Sequence, residues 1–310
     1  DSVGGKIIVE HTNINPNKAA HIGHLRNAIL GDTFVRMLRA CGEQVEVQNY
    51  IDNTGVQVAD VVVGFHHMES KSAEEVAAQA ADPAQRFDYI CWDLYAKISS
   101  YYQENPETLH WRHTTLHQIE AGEGEASRLG HVVADAIMMC HLRTMARLGV
   151  RYDVLPRESE ILHLKFWARA FELLKQKGAV HFEHDGKNKG CWVMRAEAFA
   201  EGGEDDKVIV RSNGTVTYVG KDIAYQLWKF GLLGCDFYYT ELDTSEDRHT
   251  VYVTTSRPSG EETPSFGQGS VVYNVIDSRQ SYLQSVVSAG LRALGFEDAA
   301  ERSHHFSYEM

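Results

Sequence analysis

Two histidines three positions apart, His21 and His24, enclose Ile22 and Gly23 where a polar loop runs into an amphipathic stretch. That arrangement suits phosphate chemistry. A helix N-terminus presents unpaired backbone N–H groups and the positive end of the helix dipole to an anion. Gly23 carries no side chain, so a flat ring such as adenine can approach the backbone. The two imidazoles can face one phosphate and donate hydrogen bonds as charge builds on it. Lys18, just upstream, adds a cation for a polyphosphate. The alternative is a helix start capped by histidine, with no chemistry attached.

The flanking elements decide between these readings. Lys6 to Glu10 reads as a short buried strand, and His11 to Ala20, rich in Asn and Pro, as a loop. Leu25, Ile29, Phe34, Met37, Leu38 and Cys41 recur at helical spacing, and Gly42 suits the stop. Val45 to Tyr50 is the next strand. Strand, loop, helix and strand form a βαβ unit, which implies a parallel sheet. Residues 66–144 lack strand patterns and predict a mainly helical insertion. Glu160 to Lys177 predicts one helix ending at Gly178, and Asp222 to Phe230 another. Residues 179–211 alternate around the turn signals Asp185-Gly186 and Gly202-Gly203, which predicts a small β excursion. Val251 to Thr255 and Val271 to Ile276 read as strands. Residues 257–270, rich in Gly, Ser, Pro and Glu, read as a mobile loop, and Ser281 to Leu294 as a closing helix. The expected division is 1–65, 66–144 and 145–310.

The chain has 310 residues, 43% hydrophobic and 24% charged, an ordinary globular composition with no apolar run of transmembrane length. Its net charge of −13 argues against nucleic-acid binding by bulk charge. RNA contact would need a local patch or a further segment. The five cysteines are scattered with no CxxC pair, which argues against zinc and against a disulfide framework. They read as reduced thiols of a cytoplasmic protein. His66, His67, His110, His113 and His117 of the insertion read as solvated or packed, with no metal expected.

The His-Ile-Gly-His segment at this position of a βαβ unit resembles the class I aminoacyl-tRNA synthetases. The longer run from Asn13 to Asn27, with Asn15 six positions before His21, is similar to the arginyl enzymes, as are Gly31-Asp32 and the stretch from Asn49 to Gln57. Downstream and in order, Arg157-Glu158-Ser159, the run from Thr217 to Tyr225, Asp277-Ser278-Arg279-Gln280 and the run from His305 to Met310 resemble segments of the same family. Gly220-Lys221 departs slightly from that family's usual pair. Most of the chain outside the insertion is covered.

This resemblance implies an α/β fold with a Rossmann-type parallel sheet, of the nucleotidylyl-transferase kind, carrying helical and small β insertions. It implies an arginine–tRNA ligase that consumes ATP with Mg²⁺, forms arginyl-adenylate, and passes the arginyl group to the terminal adenosine of tRNA(Arg). By carry-over, His21, His24 and Lys18 would be catalytic. His21, Gly23, His24 and Met310 would meet ATP, with Met310 against adenine. Glu158, Tyr218 and Asp222 would hold the guanidinium, whose fork of five donors favours a bidentate carboxylate. Asn15 and Gln280 would hold the α-amino and α-carboxylate groups. The partners are then L-arginine, ATP and the acceptor end of tRNA, with no membrane and a monomeric enzyme. The sequence ends at Met310, ahead of where the family's KMSKS-type loop follows, so weak activity is expected of this segment alone. The alternatives are a cysteinyl or glutamyl synthetase, a small nucleotidyltransferase with the same histidine motif, and a non-catalytic relative that only binds a ligand.

Overall fold

A computed structural model describes residues 4–195, 206–212, 214, 216–242, 249–258, 260 and 262–309. In chain order, β1 (Ile7–Glu10), α1 (Ile22–Ala40) and β2 (Val45–Gln48) form the expected βαβ unit. Five helices follow: α2 (Val56–Val63), α3 (Ala73–Ala81), α4 (Phe87–Glu104), α5 (Leu109–Ala121) and α6 (Gly124–Ala146). Next come β3 (Val154–Leu155), α7 (Glu158–His163) and α8 (Phe166–Gln176). The small strands β4 (His181–Phe182), β5 (Trp192–Met194) and β6 (Lys207–Val210) precede α9 (Tyr218–Lys229). The chain continues through β7 (Tyr238–Leu242), β8 (Val251–Thr255), β9 (Val271–Asp277), α10 (Ser281–Ala293), α11 (Glu297–Glu301) and β10 (Ser303–Tyr308).

The main sheet has seven strands in the order β10-β9-β1-β2-β3-β8-β7. Every pairing is parallel except β7 with β8, so the parallel sheet has one antiparallel edge that the strand patterns did not anticipate. All four residues of β1 are buried, as expected for a central parallel strand covered on both faces. In β3, Val154 faces a core built with α8, α9 and α10, while Leu155 faces one built with α1 and the end of α6. β4, β5 and β6 form a separate antiparallel sheet, as the alternating pattern of 179–211 predicted.

Three local expectations change. The helical cluster has its own core, and Val58, Val61, Val62 and Phe65 already belong to it, so it begins with α2 rather than at residue 66. The helix expected from Glu160 to Lys177 is broken into α7 and α8, because Lys165 adopts a left-handed conformation with φ 57°. The segment before β9, read as a mobile loop, is packed over residues 266–269. Phe266 is buried against Tyr239 and Tyr252, and Gly267 N–H donates to the buried Glu46 carboxylate at 3.0 Å.

The chain order of the sheet also sets where a ligand binds. β1 lies between β2, its successor in the chain, and β9. The segments leaving the C-terminal ends of β1 and β9 therefore diverge and open a crevice, the usual ligand position in open parallel sheets.

Candidate active site

The crevice holds two cavities. The first, about 400 Å³, is lined by the loop after β1 (Asn13, Asn15, Asn17, Lys18), by His21, Gly23 and His24, by Gln57 and Tyr95 of the helical cluster, and by Ile276, Gln280 and Tyr308. The second, about 210 Å³, is lined by Glu10, Tyr50, Asp52, Asp222, Tyr225, Gln226 and Lys229 among others. Asn13, Asn15, Ile276 and Gln280 line both, so the two cavities share a wall.

The loop after β1 is held in a conformation its residues would not choose. Thr12 has φ 77°, unusual for a β-branched residue, and Asn13 has φ 45°. Thr12 is fixed by three contacts. Its N–H donates to Asn27 Oδ1 at 2.6 Å, and its hydroxyl lies 2.7 Å from the Tyr152 hydroxyl and 2.9 Å from His11 Nδ1. Asn27 also donates to the Val275 carbonyl of β9 at 2.8 Å. Asn13 bridges Glu10 at 2.6 Å and the Tyr50 N–H at 2.8 Å, tying the loop across both strands. The helical cluster grips the loop's far end. His141 Nε2 lies 2.7 Å from the Lys18 carbonyl, and Ala19 N–H donates to the Asp88 carbonyl at 3.1 Å. Strain of this kind persists only where surrounding contacts over-determine it, and it gathers at functional sites.

His21 and His24 cap α1 reciprocally. His21 Nδ1 accepts from Gly23 N–H at 3.2 Å, and His24 Nδ1 accepts from His21 N–H at 3.3 Å. Both Nδ1 atoms are thus acceptors, which leaves each Nε2 to carry the proton. The rings stack with centroids 3.7 Å apart. Burial, then His21, His141 and Lys18, pushes the His24 imidazole down to about 3; burial and Lys18 lower His21. The pair is therefore neutral at pH 7, offering hydrogen-bond donors rather than cations. Lys18 Nζ sits over the Trp92 and Tyr95 rings of α4, 5.6 and 5.8 Å from their centroids. Asn17 is buried, lines the first cavity, and its Nδ2 has no protein partner, a donor left for a ligand.

The second cavity is acidic. Burial, then Glu158 and Glu10, raises Asp222 to about 7. Asp222 lies on α9, whose first residue is Tyr218, so the two positions fall one turn apart as the spacing suggested; the Tyr218 side chain lies outside the described residues, as does Met310. Glu158 is not among the lining residues. Its carboxylate lies behind Tyr50, accepting the Tyr50 hydroxyl at 3.1 Å and pairing closely with Lys221. Burial pushes Glu158 upward, but the Lys221 ammonium outweighs it and holds the carboxylate low. Burial and the neighbouring Glu158 carboxylate do the reverse to Asp52, which is driven well above the carboxylate range. Lys229, 2% exposed, pairs with Glu10 at 2.5 Å and donates to Asn274 at 2.8 Å.

The sequence reading thus placed Asn15, Lys18, His21, Gly23, His24, Asp222 and Gln280 at one crevice, and the fold brings them together. It passed over Tyr50, Asp52 and Gln57, although they lie in the Asn49–Gln57 stretch it had singled out. Glu10 and Tyr225 were also missed. Tyr225 closes the Thr217–Tyr225 run that the resemblance covers but has no assigned role there, while Glu10, a charge closing an otherwise apolar buried strand, was readable. Among the described residues one further group of metal-type side chains gathers, His181, Glu183 and Asp206 in the small sheet, and His181 Nε2 is already 2.6 Å from Glu183.

Comparison with known proteins agrees with this geometry. Residues 3–254 match the family described as tRNA synthetases class I (R), catalytic domain. Over 311 aligned residues, the chain is 38% identical to the arginine–tRNA ligase of Thermococcus kodakarensis, covering 99% of the chain and 48% of that protein. It is 39% identical to the Pyrococcus abyssi ligase, with the same coverage of both. The solved arginyl-tRNA synthetase of Thermus thermophilus superposes with a TM-score of 0.82 at 32% identity, over 99% of this chain and 49% of that one. The chain spans about half the length of the curated relatives it matches. Crevice, strained loop and sequence together place the chain in the family of class I tRNA synthetase catalytic domains, arginyl type.

Proposed function

We propose that this chain carries the amino-acid activation site of an arginine–tRNA ligase, joining L-arginine to ATP and passing the arginyl group to tRNA(Arg). The observation that carries this reading is the shared wall. A cavity with helix-terminus donors and Lys18 abuts an acidic cavity, and Asn13, Asn15 and Gln280 stand between them. A phosphate fits the first side, a guanidinium fits the second, and the reacting carboxylate would lie at the amides between.

In the first step an arginine carboxylate oxygen attacks the α-phosphorus of ATP, the bond to the β-phosphate oxygen breaks, and pyrophosphate leaves. The work of the protein is to position the reactants and meet developing charge. The neutral imidazoles of His21 and His24 donate Nε2–H to phosphate oxygens, Lys18 adds positive charge, and Asn17 Nδ2 gains its missing acceptor. Gly23 gives adenine its close approach, with Met310 as its proposed neighbour. The oxygen-rich lining, including Asn13, Asn15 and Gln57, accommodates a magnesium nucleotide; Mg²⁺ bound to the phosphates supplies neutralising charge for the leaving group. In the second step the 2′-hydroxyl of the terminal adenosine attacks the arginyl carbonyl and AMP leaves.

Asp222 provides the carboxylate for the guanidinium, with Tyr218 one turn before it. Glu158 acts one layer back. It fixes Tyr50, and together with burial its charge raises Asp52 well above the carboxylate range. Asn15 and Gln280 hold the backbone groups of arginine. Calorimetric titration with arginine, lysine and citrulline tests the reading. Arginine should bind, and citrulline, its uncharged near-isostere, should bind at least tenfold more weakly. Equal binding of citrulline would remove the acidic pocket from the account.

A further inference from the structure

The small antiparallel sheet gathers an imidazole and two carboxylates that the crevice does not use. His181 lies in β4 and Glu183 two residues on, where its N–H continues the ladder by donating to the Cys191 carbonyl at 2.9 Å. Two positions apart along extended backbone, they project from one face. The register carries that face across the sheet. His181 is opposite Val193 of β5, and Val193 is opposite Val208 of β6. Asp206, two residues before Val208, falls on the same face. One ligand atom from each of His181, Glu183 and Asp206 lies within 4.8 Å of the other two. His181 Nε2 and Glu183 Oε1 are 2.6 Å apart, and these side chains are 28% and 29% exposed, so solvent reaches them while the sheet holds them. The adjoining cation is engaged on another element: Lys207 Nζ lies over the Tyr282 ring of α10, 4.8 Å from its centroid.

We propose that His181, Glu183 and Asp206 bind a divalent transition-metal ion of the zinc type, which ties β4 to the start of β6 across β5. One imidazole nitrogen with two carboxylate oxygens suits Zn²⁺ and its neighbours, whereas Mg²⁺ and Ca²⁺ take oxygen ligands. Tetrahedral zinc bonds of about 2.0–2.2 Å put neighbouring ligand atoms about 3.4 Å apart. The contact between His181 and Glu183 would open by about 0.8 Å, and the widest separation would close by at most about 1.4 Å, changes within reach of side-chain rotation. The ion takes the place of the proton between His181 and Glu183, which passes to solvent, and water fills the fourth position. Cysteine spacing carries no trace of such a site, because its ligands are not thiolates and come together only when β4 and β6 flank β5. The sheet has use for a fastening. Its strands have two, three and four residues, too few to be stable alone. It also anchors the start of α9. Thr217 N–H donates to the Ile209 carbonyl at 3.0 Å, and the Thr217 hydroxyl lies 3.1 Å from the Val208 and Ile209 carbonyls. An ion that fastens β6 thereby steadies the helix that carries Asp222.

The test is calorimetric titration of the untagged, metal-free chain with Zn²⁺ and separately with Mg²⁺, on the parent and on His181→Gln and Asp206→Asn. The parent should take up Zn²⁺ at a site that Mg²⁺ does not fill, and each variant should bind at that site at least about tenfold more weakly. Glutamine and asparagine keep the size and polarity of the residues they replace, and equal urea midpoints without metal would show that lost binding is not lost folding. Hydrogen exchange of the parent locates the ion whatever the variants do. Zn²⁺ should slow exchange at residues 181–183 and 207–210. Zn²⁺ affinity retained in either folded variant, a Mg²⁺ isotherm equal to that of Zn²⁺, or no protection of those residues at saturating Zn²⁺ would overturn the proposal. None of these readouts involves arginine or ATP, so the activation reading stands or falls separately.

Discussion

Gly31→Ala sets two physical effects against each other. Gly31 lies inside α1, where replacing glycine by alanine ordinarily stabilises a helix by about 1 kcal/mol. Here a β-carbon would overlap the His11 ring at its Cβ and Cγ atoms and come within 2.7 Å of Cδ2. Those atoms are the root of a fully buried side chain, not the end of a flexible one, so the ring cannot swing clear. Relief requires moving the backbone at His11 and Thr12, the strained start of the site loop. Overpacking of this kind costs about 1–3 kcal/mol, and the local strain contacts at Thr12 would weaken with it. The expected net change is a loss of about 2 kcal/mol, measured by urea unfolding. His11→Ala in the Gly31→Ala background should recover at least about 1 kcal/mol of coupling. A Gly31→Ala chain more stable than the parent, as helix propensity alone would give, would refute the claim that the α1 contact with His11 shapes the loop.

Three further outcomes follow from the site. Arginine affinity should fall as pH drops below about 7, by up to about tenfold per unit, because Asp222 takes up a proton there; Asp222→Asn should bind weakly and flatten the profile, as calorimetry across pH 6–8 would show. Burial depresses His11 from 6.5 to about 3, so its protonation favours the unfolded chain. Its contribution is intact above pH 6.5 and is lost as pH falls toward 3. At pH 5 this amounts to about 2 kcal/mol, and urea unfolding of His11→Gln should show that much less acid sensitivity than the parent. Glu158→Ala leaves the half-buried Lys221 ammonium only the more distant Glu120 carboxylate, at 3.7 Å, and should cost about 3 kcal/mol in urea unfolding, while Glu158→Ala with Lys221→Met should cost clearly less.

The legible parts of this molecule were the local ones. The cap at His21 and His24 is written within four residues, and the buried strand before it within five, so the βαβ unit and the capped start of α1 could be read directly. The acidic pocket was harder. Its members come from β1, the segment after β2, α9, β9 and α10, and the charge balance among its carboxylates depends on an ion pair behind it between residues 63 positions apart, Lys221 and Glu158. Spacing carries no information about such a pair, and the resemblance supplied Glu158 without showing that Lys221 holds it. The break between α7 and α8 was hidden for a similar reason. Lys165 is a residue of good helix propensity, and the packing of Phe166 and Trp167 into the core overrides it. The helical cluster read as an insertion of unassigned role, yet His141, Asp88 and Trp92 turn out to hold or border the loop that carries Lys18 and His21.

The central claim is that the two adjoining cavities together hold an arginyl-adenylate. Thermal shift with non-hydrolysable arginyl-, lysyl- and cysteinyl-adenylate analogues tests it most directly. At 100 times its Kd a ligand adds about 2.7 kcal/mol of stability, well within detection. The account predicts stabilisation by the arginyl analogue alone, lost in Asp222→Asn. Stabilisation by the lysyl or cysteinyl analogue to the same degree, or an arginyl effect that survives Asp222→Asn unchanged, would contradict it.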